Sequence, residues 1–409
     1  MLLIENGTVY TPTRAISDGV VLVDRSRIHA VGKRGEVHVP AEIDRLDVGG
    51  GVVAPGLIDM HVHGVGGYGP LDGSVANLHM MALLLTRHGV TSFAPTFGSA
   101  PLDAILRGLE DAHEARRTQK VGAQILGVHM EGPYMNPAER GAMPLSTLRL
   151  PEPEEYARFL SYADDIAEMT LAPELPGAVE LIQALRKRGI LAAAGHSIAI
   201  DSELERAVEA GLSHATHLFC NMGTLRRVNI RRVAGMVESV LLDDRITAEI
   251  ITDGYHIAPS LMKLALKVKG PERLAIVTDG SHLTGMPPGR YTAFGREVIV
   301  EDNITYVSDR SAYAGSVATM DRCLRCAIES MDLPLPVALR MASLTPATIL
   351  GVADRKGSLE PGKDADIVIF DSSLHVKYTL VGGRIADVEA DGHSIDCHRV
   401  EQDMRDERA

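Results

Sequence analysis

Apolar residues fall into two regimes along this chain. From residue 56 to residue 280, short apolar runs recur, and each is followed by a stretch with a longer period. The runs are GLIDMHVHG (56–64), TSFAPTF (91–97), ILGVHMEG (125–132), MTLAPEL (169–175), LAAAGHS (191–197), HATHLFC (214–220), ITAEIITDG (246–254) and LAIVTDG (274–280). Continuous apolar runs of this length suit strands buried on both faces. Between them, NLHMMALLLTRHG (77–89), AVELIQALRKRG (178–189) and LERAVEAG (204–211) repeat apolar positions every three or four residues, as helices packed on one side do. Eight strands alternating with helices predict an α/β fold, a TIM-like (β/α)8 barrel.

The two ends read differently. Residues 1–55 are rich in β-branched residues and broken by turns, with strands expected at 20–23, at 27–31 and around 37–39. After Gly357 the same texture returns. ADIVIFD (365–371) reads as a buried strand, and KYTLVGGRIAD (377–387) as a hairpin around Gly382-Gly383. The expected organisation is a small β-sandwich-like domain formed by both termini, 1–55 with 356–400. It flanks a barrel of 56–355, and a charged tail follows at 401–409.

Composition narrows the function. The 409 residues are 45% hydrophobic and 23% charged, enough for a large core and unlike a disordered or fibrous chain. Asp and Glu outnumber Lys and Arg 54 to 41, for a net charge of -13. A binder of phosphate backbones needs the opposite sign, so nucleic acid is not an expected partner. A small anionic ligand stays open, because a pocket sets its own local field. Four cysteines make no disulfide framework. Cys323 and Cys326 form a C-x-x-C within the helical stretch MDRCLRCAIES, with no second pair nearby, and read as two packed helix thiols. The opening MLLIENGTVYTPT turns polar after four residues, unlike a signal peptide. No run reaches the roughly 18 apolar residues that span a bilayer. No membrane association is expected, and a reducing cytoplasm is the expected compartment.

Metal-capable side chains sit at the carboxyl ends of the runs, which converge on one mouth in a barrel. The first run ends in His61-Val62-His63, and alternate strand residues share a face, so both imidazoles point inward. The third ends in Glu131 and the fifth in His196; the sixth carries His214 and His217. The seventh leads to Asp253 and His256, and the eighth ends in Asp279. Buried acids and imidazoles are costly unless compensated, and a divalent cation is the simplest reason to gather them. His129, His214, Glu174 and His282 read as structural or supporting groups. GVGGYG (64–69) lacks the Lys-Ser/Thr of a phosphate loop and reads as a mouth loop.

The combination PGLIDMHVHG, HMEGP, GHS, THLF and VTDG resembles the amidohydrolase superfamily and, more closely, the N-acetylglucosamine-6-phosphate deacetylase family. The likeness continues through TDGYH (252–256), AGS…TMDR (314–322), SLTPATILGV (343–352) and KGSLEPGKDADIVIFD (356–371). HMEGP is the specific signal. Many relatives bridge their metals with a carboxylated Lys on the fourth strand. MTLAPEL has no Lys, and the resemblance gives that role to Glu131.

The resemblance implies that Glu131, His196 and His217 bind one divalent ion. His61 and His63 would bind a second, bridged by Glu131, with Asp279 touching or beside it. One or two ions per chain, zinc or iron, are therefore expected. Asp279 would be the catalytic acid–base group. The implied reaction hydrolyses the acetamide of an N-acetyl amino sugar 6-phosphate to acetate and the amino sugar phosphate.

On the substrate side the sequence departs from the family. Cys220-Asn221-Met222 follows THLF where the family has Asn-Ala-Met, and Met143 follows Gly141-Ala142 where the family has His. TLRRVNIRRVAG (224–235) replaces an Arg-Glu-Pro-Gly that reaches a phosphate, often across a dimer interface. The expected substrate contacts are Asn221, Arg227, His256 and Met143. Arg226, Arg227, Arg231 and Arg232 supply the candidates for a phosphate contact, and a homodimer is expected. The departures keep open the same chemistry on another N-acyl or cyclic amide substrate. A barrel that has lost catalysis and serves in binding or assembly is the reading from another class.

Overall fold

The computed structural model describes residues 1–386 apart from 72, 294–295, 303, 311–312 and 314. The expected tail at 401–409, and the part of the terminal domain beyond 386, lie outside the described residues. Eight parallel strands pair in chain order: β1 (Leu57–Val62), β2 (Val90–Phe97), β3 (Val128–Glu131), β4 (Ile166–Leu171), β5 (Leu191–Ala194), β6 (His214–Ala215), β7 (Thr247–Ile251) and β8 (Leu274–Val277). A parallel bridge from Val62 to Gly280 sets β1 beside the end of β8, so the ring is a nearly closed TIM-like barrel with helices. Each apolar run of the sequence contributes one strand.

The strands alternate, but not in the usual way for such a barrel. Met60 and Val62 of β1, Val128 and Met130 of β3, Met169 and Leu171 of β4 and Ala248 and Ile250 of β7 belong to the main apolar core. The residues between them are polar and buried: Asp59 and His61, His129 and Glu131, Glu168 and Thr170, and Glu249. Barrel lumens are ordinarily filled by branched aliphatic side chains. Here much of the lumen is filled by imidazoles, carboxylates and threonines.

Strands from both chain ends form one continuous sheet. Leu2–Tyr10 pairs with Ala15–Asp24, and Ala15–Asp24 pairs with Arg27–Lys33. Leu2–Tyr10 also runs parallel to Asp44–Asp47 and to Val52–Pro55. Val52–Pro55 then pairs antiparallel with Ile367–Phe370, and the sheet continues through Val376–Val381 to Arg384–Ile385. Residues 37–39 form no strand, contrary to the expectation from their alternation. Val37 and Val39 instead pack one face against Leu3, Val20 and Leu22. Pro40, which cannot donate to a ladder, closes the segment.

Two elements went unread in the sequence. Gly289–Ala293, Arg296–Glu301 and Ile304–Val307 form a three-stranded antiparallel sheet after β8, with a small core including Leu283, Val298 and Val317. Arg226–Val228 and Arg231–Val233 form a hairpin. Cys323 and Cys326 lie on the helix Met320–Met331 as free thiols. Among the described residues, no helix is long and apolar enough to cross a membrane.

Candidate metal centre

At the carboxyl ends of the strands, six predicted groups meet. Glu131 Oε1 lies 2.9 Å from His196 Nε2 and 3.0 Å from His217 Nε2, and the two imidazole nitrogens are 3.1 Å apart. Glu131 Oε2 lies 3.1 Å from His63 Nε2. His61 Nε2 is 3.2 Å from His63 Nε2, and Asp279 Oδ1 is 3.3 Å from both. Glu131 therefore stands between a His196–His217 pair and a His61–His63–Asp279 set.

Second contacts fix which ring nitrogen of His61, His63 and His196 carries hydrogen, while His217 Nδ1 has no partner. His61 Nδ1 donates to Glu249 Oε2 at 2.8 Å, His63 Nδ1 to the Thr96 carbonyl at 3.2 Å, and His196 Nδ1 to the Glu139 carbonyl at 2.7 Å. With Nδ1 so committed, the neutral rings turn bare Nε2 lone pairs toward one another and toward two carboxylates. Either protons on Nε2 or a divalent cation set among them satisfies these contacts together. Metal-ligating histidines are commonly oriented in this way. The donor set of imidazoles and carboxylates therefore fits one or two ions of the zinc or iron type.

The backbone is strained where these side chains turn inward. His196, His217 and Asp279 have φ of 49°, 31° and 47°. The left-handed region disfavours residues with a Cβ and persists where the surroundings enforce it. Asp279 N donates to the His61 carbonyl at 3.0 Å, which ties the end of β8 to β1.

Without a cation, the charges of the cluster act on one another. Burial alone would keep these groups neutral. Opposite charge outweighs it. Asp279 and Glu131 raise His63 to about 9, and Glu249 with Asp279 raises His61 well above the usual imidazole range. His196 and His217 hold Glu131 well below the usual carboxylate range, and His61 and His63 hold Asp279 below it.

A cavity of about 470 Å³ opens over this cluster. Its walls include Met143, Asn221 and His256, as the sequence led one to expect. The side-chain amide of Asn221 packs on Gly141, whose φ is 55° and where a Cβ would collide with that amide. His256 Nδ1 donates to Asp253 Oδ2 at 2.7 Å. Burial opposes a charge on His256, but this bond and the Asp253 charge raise its pKa above the ordinary value. Glu174 accepts from Ser197, Ile198 N and Asn136 and braces the loop after β5.

Arg227 does not line the cavity. It lies with Arg226, Arg231 and Arg232 on the hairpin, which projects from the surface and ends in Ile230, 86% exposed. Sequence reading missed Tyr313 and Val307, which the inserted sheet brings to the cavity wall, and Glu249, the partner of His61. An acid inside an otherwise apolar run, two strand steps before Asp253, was the signal for Glu249.

Residues 52–392 match the amidohydrolase family. The chain is 36% identical over 357 residues to the N-acetylglucosamine-6-phosphate deacetylase of Bos taurus, covering 84% of this chain and 85% of that protein. It is 33% identical to the N-acetylgalactosamine-6-phosphate deacetylase of Escherichia coli O157:H7, covering 94% and 97% of the two chains. The crystal structure of N-acetylglucosamine-6-phosphate deacetylase from Pasteurella multocida superposes with a TM-score of 0.87 at 31% identity, covering 94% of this chain and 99% of that one.

Proposed function

The chain belongs to the amidohydrolase family, and from that premise we propose that it hydrolyses the acetamide of N-acetyl amino sugar 6-phosphates, releasing acetate and the amino sugar phosphate. The observation that carries the reading is the convergence of four imidazoles and two carboxylates beneath a sugar-sized cavity. Glu131, His196 and His217 would hold one ion, and His61 and His63, with Glu131 shared, a second. When bound, such an ion is a Lewis acid that lowers the pKa of water and polarises the amide carbonyl.

The chain's own groups do the rest. Asp279 faces the cavity and takes the proton of the attacking water at a carboxylate oxygen. It then returns that proton to the departing amine nitrogen. His256, held by Asp253, meets the substrate phosphate. Met143 and Asn221 bound the sugar. The His and carboxylate donors suit zinc or iron equally.

The arginine hairpin reaches the phosphate of a second copy in a homodimer. Arg227 stands directly opposite Arg232 in the ladder, and none of the four arginines has a carboxylate partner among the described residues. Like charges so placed repel unless an anion lies between them. Among the described residues, Cys220, Cys323 and Cys326 are free thiols, which agrees with a reducing cytoplasm.

One relative is named for N-acetylgalactosamine-6-phosphate, so both epimers are substrates to test. Acetate release is measured from N-acetylglucosamine-6-phosphate, N-acetylgalactosamine-6-phosphate and their unphosphorylated parents, with one metal-loaded preparation. The expected result is turnover of at least one phosphorylated sugar, lost on chelation and far weaker for its parent. No turnover of any of the four would move the reading to another N-acyl or cyclic amide substrate.

A further inference from the structure

Inside the barrel, beneath the metal centre, lies a second cluster that the deacetylation chemistry does not use. Glu168 of β4, His214 of β6 and Glu249 of β7 are fully buried and turn toward one another, with His129 of β3 beside them. His214 Nε2 is 3.8 Å from Glu168 Oε1 and 3.8 Å from Glu249 Oε1, and His129 Nε2 is 3.8 Å from the same Glu168 oxygen. These separations are too long for hydrogen bonds. Both carboxylate oxygens of Glu168, Oε1 of Glu249, Nε2 of His214 and Nδ1 of His129 have no partner.

Hydrogen placement makes the conflict sharper. The Thr247 hydroxyl donates to the Ser213 carbonyl at 3.1 Å, so it accepts from His214 Nδ1 at 2.7 Å. That leaves a lone pair on Nε2, aimed at two carboxylate oxygens. Three acceptors converge, and burial beside Glu249 pushes Glu168 well above the usual carboxylate range, so either a proton held by Glu168 or a cation must stand among them. Burying uncompensated acceptors and charges is costly. Ions of the zinc class sit about 2.0–2.2 Å from imidazole nitrogen and carboxylate oxygen, which sets neighbouring donors about 3.3–3.8 Å apart. The observed spacing is at the upper edge of that range.

We propose that Glu168, His214 and Glu249 bind a buried divalent cation of the zinc class, at a site distinct from the centre at the mouth. The site is structural. Its ion would hold Glu249 Oε1, while Glu249 Oε2 accepts from His61 Nδ1 and from His217 N at 3.1 Å. Through one carboxylate, the inner ion orients the His61 imidazole and holds the backbone of His217 at the outer centre. The proposal rests on the geometry of the lumen and is independent of what the enzyme hydrolyses.

The test uses the full chain produced in zinc-supplemented medium. Anomalous difference maps from crystals, recorded on either side of the zinc edge, should show a peak between Glu168, His214 and Glu249, separate from the mouth. Density at that point without anomalous signal, or no density, overturns the site. Metal content by mass spectrometry supplies a second readout. Glu131→Gln should empty the mouth and keep the inner ion. Glu168→Gln should lose one ion per chain and lower Tm. If the cluster is empty, burial holds Glu168 as the neutral acid, Glu168→Gln is nearly isosteric, and metal content is unchanged. Unchanged metal content in Glu168→Gln overturns the proposal whichever way Tm moves. Should that variant fail to fold, the wild-type anomalous map decides alone.

Discussion

Within the six-residue cluster, exposure separates two kinds of carboxylate. The Glu131 side chain is 2% exposed and enclosed by imidazoles, which suits a bridging ligand. The Asp279 side chain is 18% exposed and opens onto the cavity, where it can meet water and substrate. Asp279→Asn keeps the shape and removes the proton acceptor. General acid–base catalysis contributes about 10²–10⁴-fold, so kcat should fall by that range while bound metal is retained. The acidic limb of the pH–rate profile should vanish from the residual activity, and an Asn variant with near-normal turnover and the same limb would remove Asp279 from the role. His256 gives a pH dependence of the opposite sense. Its pKa is raised above 6.5 because Asp253 outweighs burial, so the imidazolium proposed to meet a phosphate is lost as pH rises through that raised value. KM for the phosphorylated sugar should rise on the alkaline side. In Asp253→Asn the support is gone while burial remains, so that rise should begin at lower pH, with kcat at saturation little changed. Superimposable KM profiles for the two proteins would show that His256 does not bind the phosphate.

Elements were legible where burial alone shapes the sequence. Strands enclosed on both sides must be apolar outward, and eight such runs stand out, with the metal-capable residues placed after them by the same parity. Glu168 and Glu249 were harder to see: Glu168 precedes the fourth run and enters the lumen by its pairing with His129, and Glu249 is one acid in a run of Ala and Ile that only counting by twos from Asp253 puts there. The three-stranded sheet at 289–307 was overlooked because its outer strands, half-exposed, lack a continuous apolar run and its middle strand has only Val298-Ile299-Val300. The hairpin carried its signal in Asn229, which takes φ 56° in the two-residue turn between Val228 and Arg231. Arginines on either side obscured it, since charge favours a solvated loop as readily as a strand. Its exposed tip leads to a prediction at this scale. Leu225, Val228 and Ile230 are 55%, 38% and 86% exposed, an apolar strip unusual beside four arginines. If the strip seats on a second copy, Ile230→Asp should convert a dimer to a monomer in analytical ultracentrifugation. KM for the phosphorylated substrate should rise in the same variant, while the unphosphorylated parent is unaffected. A protein that is already monomeric, or a variant that stays dimeric with unchanged KM, would leave the hairpin without this function.

For the molecule as a whole, one strand joins two cores. Ile367 and Ile369 enter the core of the terminal sheet with Ile4, Val9, Val21 and Val53, while Val368 and Phe370 enter the barrel core. The alternation of ADIVIFD is therefore apolar on both faces because both faces are enclosed, which explains why it reads as buried without saying against what. The same strand pairs with Val52–Pro55, immediately before β1 and its two metal-capable histidines. Lys356, 2% exposed, adds an ion pair to Asp366 just before the strand begins. Because the strand is common to both units, terminal sheet and barrel should unfold together. Phe370→Ala removes a fully buried ring, which in cores costs about 3–5 kcal/mol. Ile369→Ala, on the opposite face, should cost about 2–5 kcal/mol. Both variants should lower the midpoint of one cooperative urea transition, with far-ultraviolet circular dichroism and the environment of the buried tyrosine Tyr134 changing in step. If Ile369→Ala instead produced an early transition that left the Tyr134 signal and bound metal untouched, the terminal sheet would be a separate unit. The strand would then be a tether rather than a shared part of two cores.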